Sequence, residues 1–207
     1  MTPSTHIAPG SQTSDTQLAE LVKQARDGNR FAFDQLIDRY QGDIYRMIYY
    51  RIRARMDAED LTQDVFIRAY RSISRLREPD RFRSWLFRIA VNRVNDYLRK
   101  KRVRSIFKSS DENPDIQPQT TQFQEQPEAL EQVLKEDFWR QVGRIAKKLS
   151  KMEREVFMLR FLDNLNINEI ARILKKSEST IKTHLYRALA KFKKEKTLRQ
   201  FLQEDIT

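Results

Sequence analysis

Apolar positions recur at helical spacing through most of this chain. Leu18, Leu21, Val22 and Ala25 make a first short stripe that stops before Gly28. Phe33, Leu36, Ile37, Tyr40, Ile44 and Ile48 make a second within Phe31–Ile52, and Ala58, Leu61, Val65 and Ala69 a third over Asp57–Ser74. Pro79 interrupts the pattern because its ring supplies no N–H, and the next helix is predicted over Phe82–Lys101. Farther on, Leu134, Phe138, Val142, Ile145 and Leu149 share one stripe. Ser150 then stands three residues before Glu153, which is capping-box spacing for another helix. Asn166 and Glu169 repeat that signature, and Ile170, Ala171, Ile173 and Leu174 fill one short helix. A break over Lys175–Ser179 leads into a helix predicted over Thr180–Lys194, so two short helices meet across a tight turn in helix-turn-helix order. No alternating run is long enough for a useful strand, and the predicted class is all-α.

Charge divides these helices into blocks. The chain has 207 residues, room for one domain or two small ones, and a net charge of +11 from 40 Lys and Arg against 29 Asp and Glu. Residues 15–104 carry +8, residues 105–130 carry −4 and residues 131–207 carry +7. The middle block also holds Pro114, Pro118, Pro127 and a run of Gln and Thr, with too few apolar residues to fold alone. The expected layout is a disordered leader over 1–14, a basic helical domain over 15–104, a flexible acidic linker over 105–130 and a second basic helical domain over 131–207. Such a balance suits a polyanionic partner, although net charge governs association rather than fold.

Composition also removes whole classes of chemistry. The chain has no Cys and only His6 and His184, which excludes disulfides, Cys-based zinc sites and thiol nucleophiles. Gly10, Gly28, Gly42 and Gly143 are too scattered for a phosphate-cradling loop. No cofactor or metal is expected. The longest apolar stretch, Trp85–Val91, is interrupted by Arg88 and falls far short of the roughly 20 residues that span a bilayer, so no membrane insertion is expected. The first residues lack the basic and apolar regions of a secretory signal, and the expected location is cytoplasmic.

Three constellations remain. On the last predicted helix, Ile181, Leu185, Ala188, Leu189 and Phe192 fall in one arc, opposite Lys182, Thr183, Tyr186, Arg187 and Lys191. That division suits a helix seated in a major groove, with Arg and Thr at base edges and Lys at phosphates. It equally suits a solvated amphipathic helix, and periodicity does not decide between them. Within Phe82–Lys101, Arg88, Asn92, Asn95 and Arg99 line the side opposite Leu86, Ala90, Val94 and Tyr97, with Trp85 beside them. Arg and Asn donate to phosphates and bases and an aromatic face stacks on an unpaired base, while Trp85 and Tyr97 also read as core residues. Finally, Asp60, Gln63 and Asp64 share one helix face in an otherwise basic domain, which fits a protein partner with a basic surface or simply the acids of a helix's first turn. No nucleophile or carboxylate–metal arrangement accompanies these residues, so no enzyme activity is expected.

The segments Asp57–Ser74 and Phe82–Arg99 resemble the second conserved region of the extracytoplasmic-function (ECF) sigma factors of bacterial RNA polymerase, and Leu149–Leu174 with Ser177–Leu189 resembles the fourth. The order of the two blocks around a loose linker is more specific than either alone. The resemblance implies a subunit that docks on core RNA polymerase and reads two promoter elements, melting one of them. By position it implies that Asp60, Gln63 and Asp64 face the polymerase clamp helices. It also implies that Trp85, Arg88, Asn92, Asn95 and Arg99 meet the minus-ten DNA, with Asn92 at the pocket for a flipped base. Lys182, Thr183, Tyr186, Arg187 and Lys191 would meet the minus-thirty-five DNA. Contact with the polymerase flap and control by an anti-sigma factor are further implications. The chain departs from the family pattern at Ser150, where Pro is common, and at Asn166, Ser179 and His184. A free-standing helix-turn-helix regulator is the alternative reading.

Overall fold

The computed structural model describes residues 10–108 and 148–193, with side chains over 16–104 and 148–193. The described residues are helical and contain no strand. The chain divides into two compact units near residue 114. The first holds α1 (Gly10–Arg26), α2 (Arg30–Ile52), α3 (Arg55–Ser72) and α4 (Phe82–Lys108); the second holds α5 (Lys151–Phe161), α6 (Ile167–Leu174) and α7 (Glu178–Lys193).

In the first unit local chemistry sets the boundaries. Gly28 takes φ +96, a conformation open to a residue without Cβ, and turns the chain between α1 and α2. Asn29 then caps α2 by accepting from the Ala32 N–H at 3.1 Å. At the other end Arg53 adopts a left-handed conformation and donates its N–H to Tyr49 O at 2.8 Å, closing α2 where glycine is more usual. Pro79 opens a single 3₁₀ turn, Pro79–Arg81, that runs directly into α4.

The apolar stripes meet in one core. Leu36, Ile44, Met47 and Ile48 of α2 pack with Ala58, Val65 and Ala69 of α3 and Phe82, Leu86, Phe87 and Ala90 of α4, all essentially solvent-free. Each large side chain there contributes about 1.5–3 kcal/mol of burial. Tyr97 adds a polar clasp, its hydroxyl donating to Asp57 Oδ2 at 2.6 Å across α3 and α4.

Two boundaries differ from the sequence pattern. α1 starts at Gly10, inside the stretch expected as a leader, and α4 runs to Lys108, seven residues past Lys101 and into the expected linker. Ser105, Ile106 and Phe107 contain no breaker, and the first proline after Lys108 is Pro114, so nothing local stops the helix. The rest of that linker, residues 1–9 and most of the predicted Leu134–Leu149 helix lie outside the described residues.

Among the described residues of the second unit, Leu149, Phe157, Ala188 and Phe192 form one apolar cluster with Leu189 against them, and the Phe157 and Phe192 rings stack at 4.2 Å. Both capping boxes are made: Ser150 with Glu153 and Asn166 with Glu169 each exchange two hydrogen bonds. α6 ends at Lys175, whose left-handed backbone turns the chain toward α7.

Candidate nucleic-acid interface

α7 carries the expected division of faces. Ile181, Ala188 and Phe192 are buried, while Lys182, Thr183, Tyr186 and Arg187 are exposed, Tyr186 to 72%. The Thr183 hydroxyl donates to Ser179 O at 2.9 Å, which restrains its rotamer while the side chain stays exposed and its oxygen keeps acceptor capacity. His184 is half-buried, with Nδ1 sealed from solvent and unpaired. Lys191 differs from the other members of the predicted face. Its ammonium reaches Glu153 Oε2 at 2.6 Å and Lys148 O at 3.3 Å, so it is committed to holding α7 against the start of α5. Glu153 is almost fully buried, and the hydrogen bond from Lys191, followed by that from the Ser150 N–H, holds its carboxyl below the usual range.

In the first unit a donor-lined cleft opens between α3 and α4. It is a shallow groove open to solvent, of about 510 Å³, lined by Arg68, Ser72, Ile89, Asn92, Arg93, Asn95 and Asp96. Asn92 is exposed and Asn95 half-exposed, so both amides are available at its wall. A ladder of alternating charges stiffens one side. Arg68 meets Asp64 at 3.3 Å, Asp64 pairs with Arg93, Arg93 lies 3.7 Å from Asp96, and Asp96 meets Arg99 at 3.1 Å. Arg68, Ser72, Ile89, Arg93 and Asp96 lie outside the predicted set, because helical spacing on α4 alone says neither which of its faces meets α3 nor which face of α3 lies opposite.

The predicted residues thus separate. Asn92 and Asn95 enter the cleft; Trp85, Arg88 and Arg99 lie on the same helix outside its lining. Trp85 is half-buried, with its ring 5.7 Å from that of Phe82, and so serves the core with one edge. On α3, Asp60 and Gln63 are exposed as expected, whereas Asp64 is drawn toward α4 by Arg93.

Two family models match, one in each helical unit. Sigma-70 region 2 matches residues 36–104, and Sigma-70 region 4 matches residues 139–192. The ECF RNA polymerase sigma factor BldN of Streptomyces coelicolor is 34% identical over 97% of this chain and 71% of its own length. The chain belongs to the ECF sigma factors. It is a promoter-specific transcription initiation factor that works with core RNA polymerase on promoter DNA. Solved structures share the fold. CnrH, solved in complex with the cytosolic domain of CnrY, superposes with a TM-score of 0.61 at 24% identity, covering 92% of this chain and 99% of CnrH. The Bartonella quintana sigma factor RpoE, solved with the anti-sigma factor NepR, gives 0.56 at 22% identity, covering 78% of this chain and 94% of RpoE.

Two absences are confined to the described residues. No group of three or more His, Asp or Glu among them could hold a metal ion, and no described helix is long and apolar enough to cross a membrane.

Proposed function

We propose that this sigma factor divides its work between two surfaces that meet different parts of one promoter. In the first domain, over 15–104, the cleft beside Asn92 and Asn95 receives an unstacked base of the minus-ten element. Trp85, Arg88 and Arg99 contact its strand, the two amides offering donors and acceptors to a base edge. Extruding a base costs a few kcal/mol, which a cleft with directed hydrogen-bonding groups offsets. In the second domain, over 131–207, Lys182, Thr183, Tyr186 and Arg187 read the minus-thirty-five element from the major groove, and Lys191 orients that helix from behind. Asp60 and Gln63 present acid and amide to a basic surface of the polymerase clamp helices, and the second domain meets the flap.

The single observation that carries this reading is the exposed quartet on α7 opposite buried Ile181, Ala188 and Phe192. A solvated helix needs no Tyr exposed to 72% beside two cations, whereas a groove-reading helix uses each of them. The chain itself performs no chemistry; the polymerase supplies it. The protein works in the cytoplasm, and an anti-sigma factor of the kind solved with RpoE covers these surfaces when transcription is not required.

Assembly with core polymerase by size exclusion, followed by run-off transcription over a fragmented genomic library of the source organism, tests the reading. Specific transcripts that depend on the protein support it. DNA binding without polymerase binding would instead identify a free-standing regulator and withdraw the docking assignments.

A further inference from the structure

The outward face of α3 carries more than its acids. Met56, Asp60, Gln63, Ile67 and Tyr70 recur at spacings of three and four, so they form one stripe along the helix, and each of them is exposed. Met56 is exposed to 80%, while Tyr70 meets the Phe33 ring at 5.1 Å and keeps half its surface in solvent. One exposed apolar side chain is ordinary. Three on the stripe that bears Asp60 and Gln63 make the mixed apolar and polar surface of a protein interface. Asp60 lies one turn beyond Met56, so a partner that grips Asp60 also covers the Met56 thioether.

That thioether is open to oxidation. Met47 is fully buried and Met152 and Met158 are partly buried, which leaves Met56 the most accessible methionine among the described residues. The chain has no Cys, so no thiol of its own competes for an oxidant. With hydrogen peroxide the sulfur gives a lone pair to one peroxide oxygen, and the O–O bond breaks as the S–O bond forms. The departing hydroxide takes the proton from the sulfur-bound oxygen and leaves as water. Sulfur is oxidised by two electrons and the peroxide is reduced by two. A reductase dithiol reverses the step, becoming a disulfide and releasing the oxygen as water.

We propose that Met56 is a reversible oxidation site through which a peroxide weakens docking of this sigma factor on core polymerase. The proposal rests on the reading that Asp60 and Gln63 face the clamp helices. Oxidation turns a flexible apolar side chain into a polar one whose new oxygen only accepts hydrogen bonds. In the free protein water satisfies that oxygen. Under a docked partner the water is lost, and an acceptor left without a donor weakens docking about tenfold. The fold bears little of this cost, because so exposed a side chain packs little against its own domain.

The test treats the free protein with millimolar hydrogen peroxide, removes the peroxide with catalase, and titrates untreated labelled core polymerase. Peptide mapping by mass spectrometry follows each methionine, and each protein is compared with its own untreated sample. Treated wild type is expected to bind about tenfold more weakly, with sulfoxide forming first at Met56. Methionine sulfoxide reductases of both epimer specificities restore its affinity. Treated M56L, which keeps every other methionine, shows no loss against its own untreated sample, and M56Q binds more weakly than M56L without any peroxide. In preformed holoenzyme Met56 is oxidised more slowly than in the free protein. An equal loss in M56L, unchanged affinity in wild type oxidised at Met56, or equal oxidation rates in free and assembled protein would overturn the proposal. Normal assembly by D60K would overturn the docking reading beneath it, whereas impaired assembly by D60K beside indifference to oxidation removes the Met56 site alone.

Discussion

Lys191 and Glu153, 38 residues apart in sequence, meet at 2.6 Å with the carboxylate almost fully buried. The contact joins α7 to the capping box of α5, so the angle at which α7 is presented depends on a lysine behind the reading face. Lys191→Met is expected to lower stability by about 1–3 kcal/mol, because it leaves a buried carboxylate with one partner fewer. Lys182→Gln is expected to leave stability unchanged and to weaken minus-thirty-five binding. Urea unfolding followed by circular dichroism, beside fluorescence anisotropy on a minus-thirty-five duplex, separates the two; weaker binding by Lys191→Met without loss of stability would return it to the DNA face.

The same pair sets an acid limit. Glu153 is held below the ordinary glutamate value of 4.5, so its contribution is fully present above that value and is lost as pH falls through the lower folded one. Tyr97 sets an alkaline limit. Burial, and then its hydrogen bond to Asp57, push its pKa up to about 12, so its contribution is present below 10 and is lost as pH rises from 10 to 12. Tyr97→Phe is expected to remove part of the high-pH phase in an absorbance titration of the tyrosines and to flatten the stability profile above pH 10.

Asp60 and Asp64 are expected to answer differently despite their spacing. Asp60→Lys places a cation against a basic partner and is expected to weaken core-polymerase binding about tenfold or more, since like charges across an interface are costly. Asp64→Asn is expected to act chiefly on stability by releasing Arg93. Titration of labelled core polymerase, paired with thermal unfolding, checks both; unaltered assembly by Asp60→Lys would refute the docking role.

Arg187→Ala is expected to cost about 1–3 kcal/mol of minus-thirty-five discrimination, the worth of one good base contact, with polymerase docking intact. Promoter selection from a randomised minus-thirty-five library reads this directly. An unchanged consensus would exclude Arg187 from base reading.

Asn92→Ala is expected to slow open-complex formation more than closed-complex binding, because the amide meets the base only after it leaves the stack. Permanganate footprinting over time measures the first and filter binding at low temperature the second. Equal effects on both would place Asn92 on the phosphate backbone instead.

Much of this architecture was legible along the chain. The period of apolar residues located the helices, and the spacing of Ser150 with Glu153 and of Asn166 with Glu169 located two starts, because caps are made within four residues. The extra turns of α4 were missed since basic residues form helix as readily as they form linker, and no local breaker distinguishes the two.

The sequence by itself determined which residues share a face of each helix, since that follows from a fixed rotation per residue. It could not determine which neighbouring helix meets that face. Lys191 and Lys182 fall on one predicted arc of α7, yet only Lys191 has Glu153 within reach. Asp60 and Asp64 lie one turn apart, yet only Asp64 has Arg93 across from it. Pairing of that kind depends on how two helices cross in space, and a burying core sets the crossing through residues distant in sequence. The division between a contact that holds the fold and a contact left free for polymerase or DNA was therefore made by the tertiary structure.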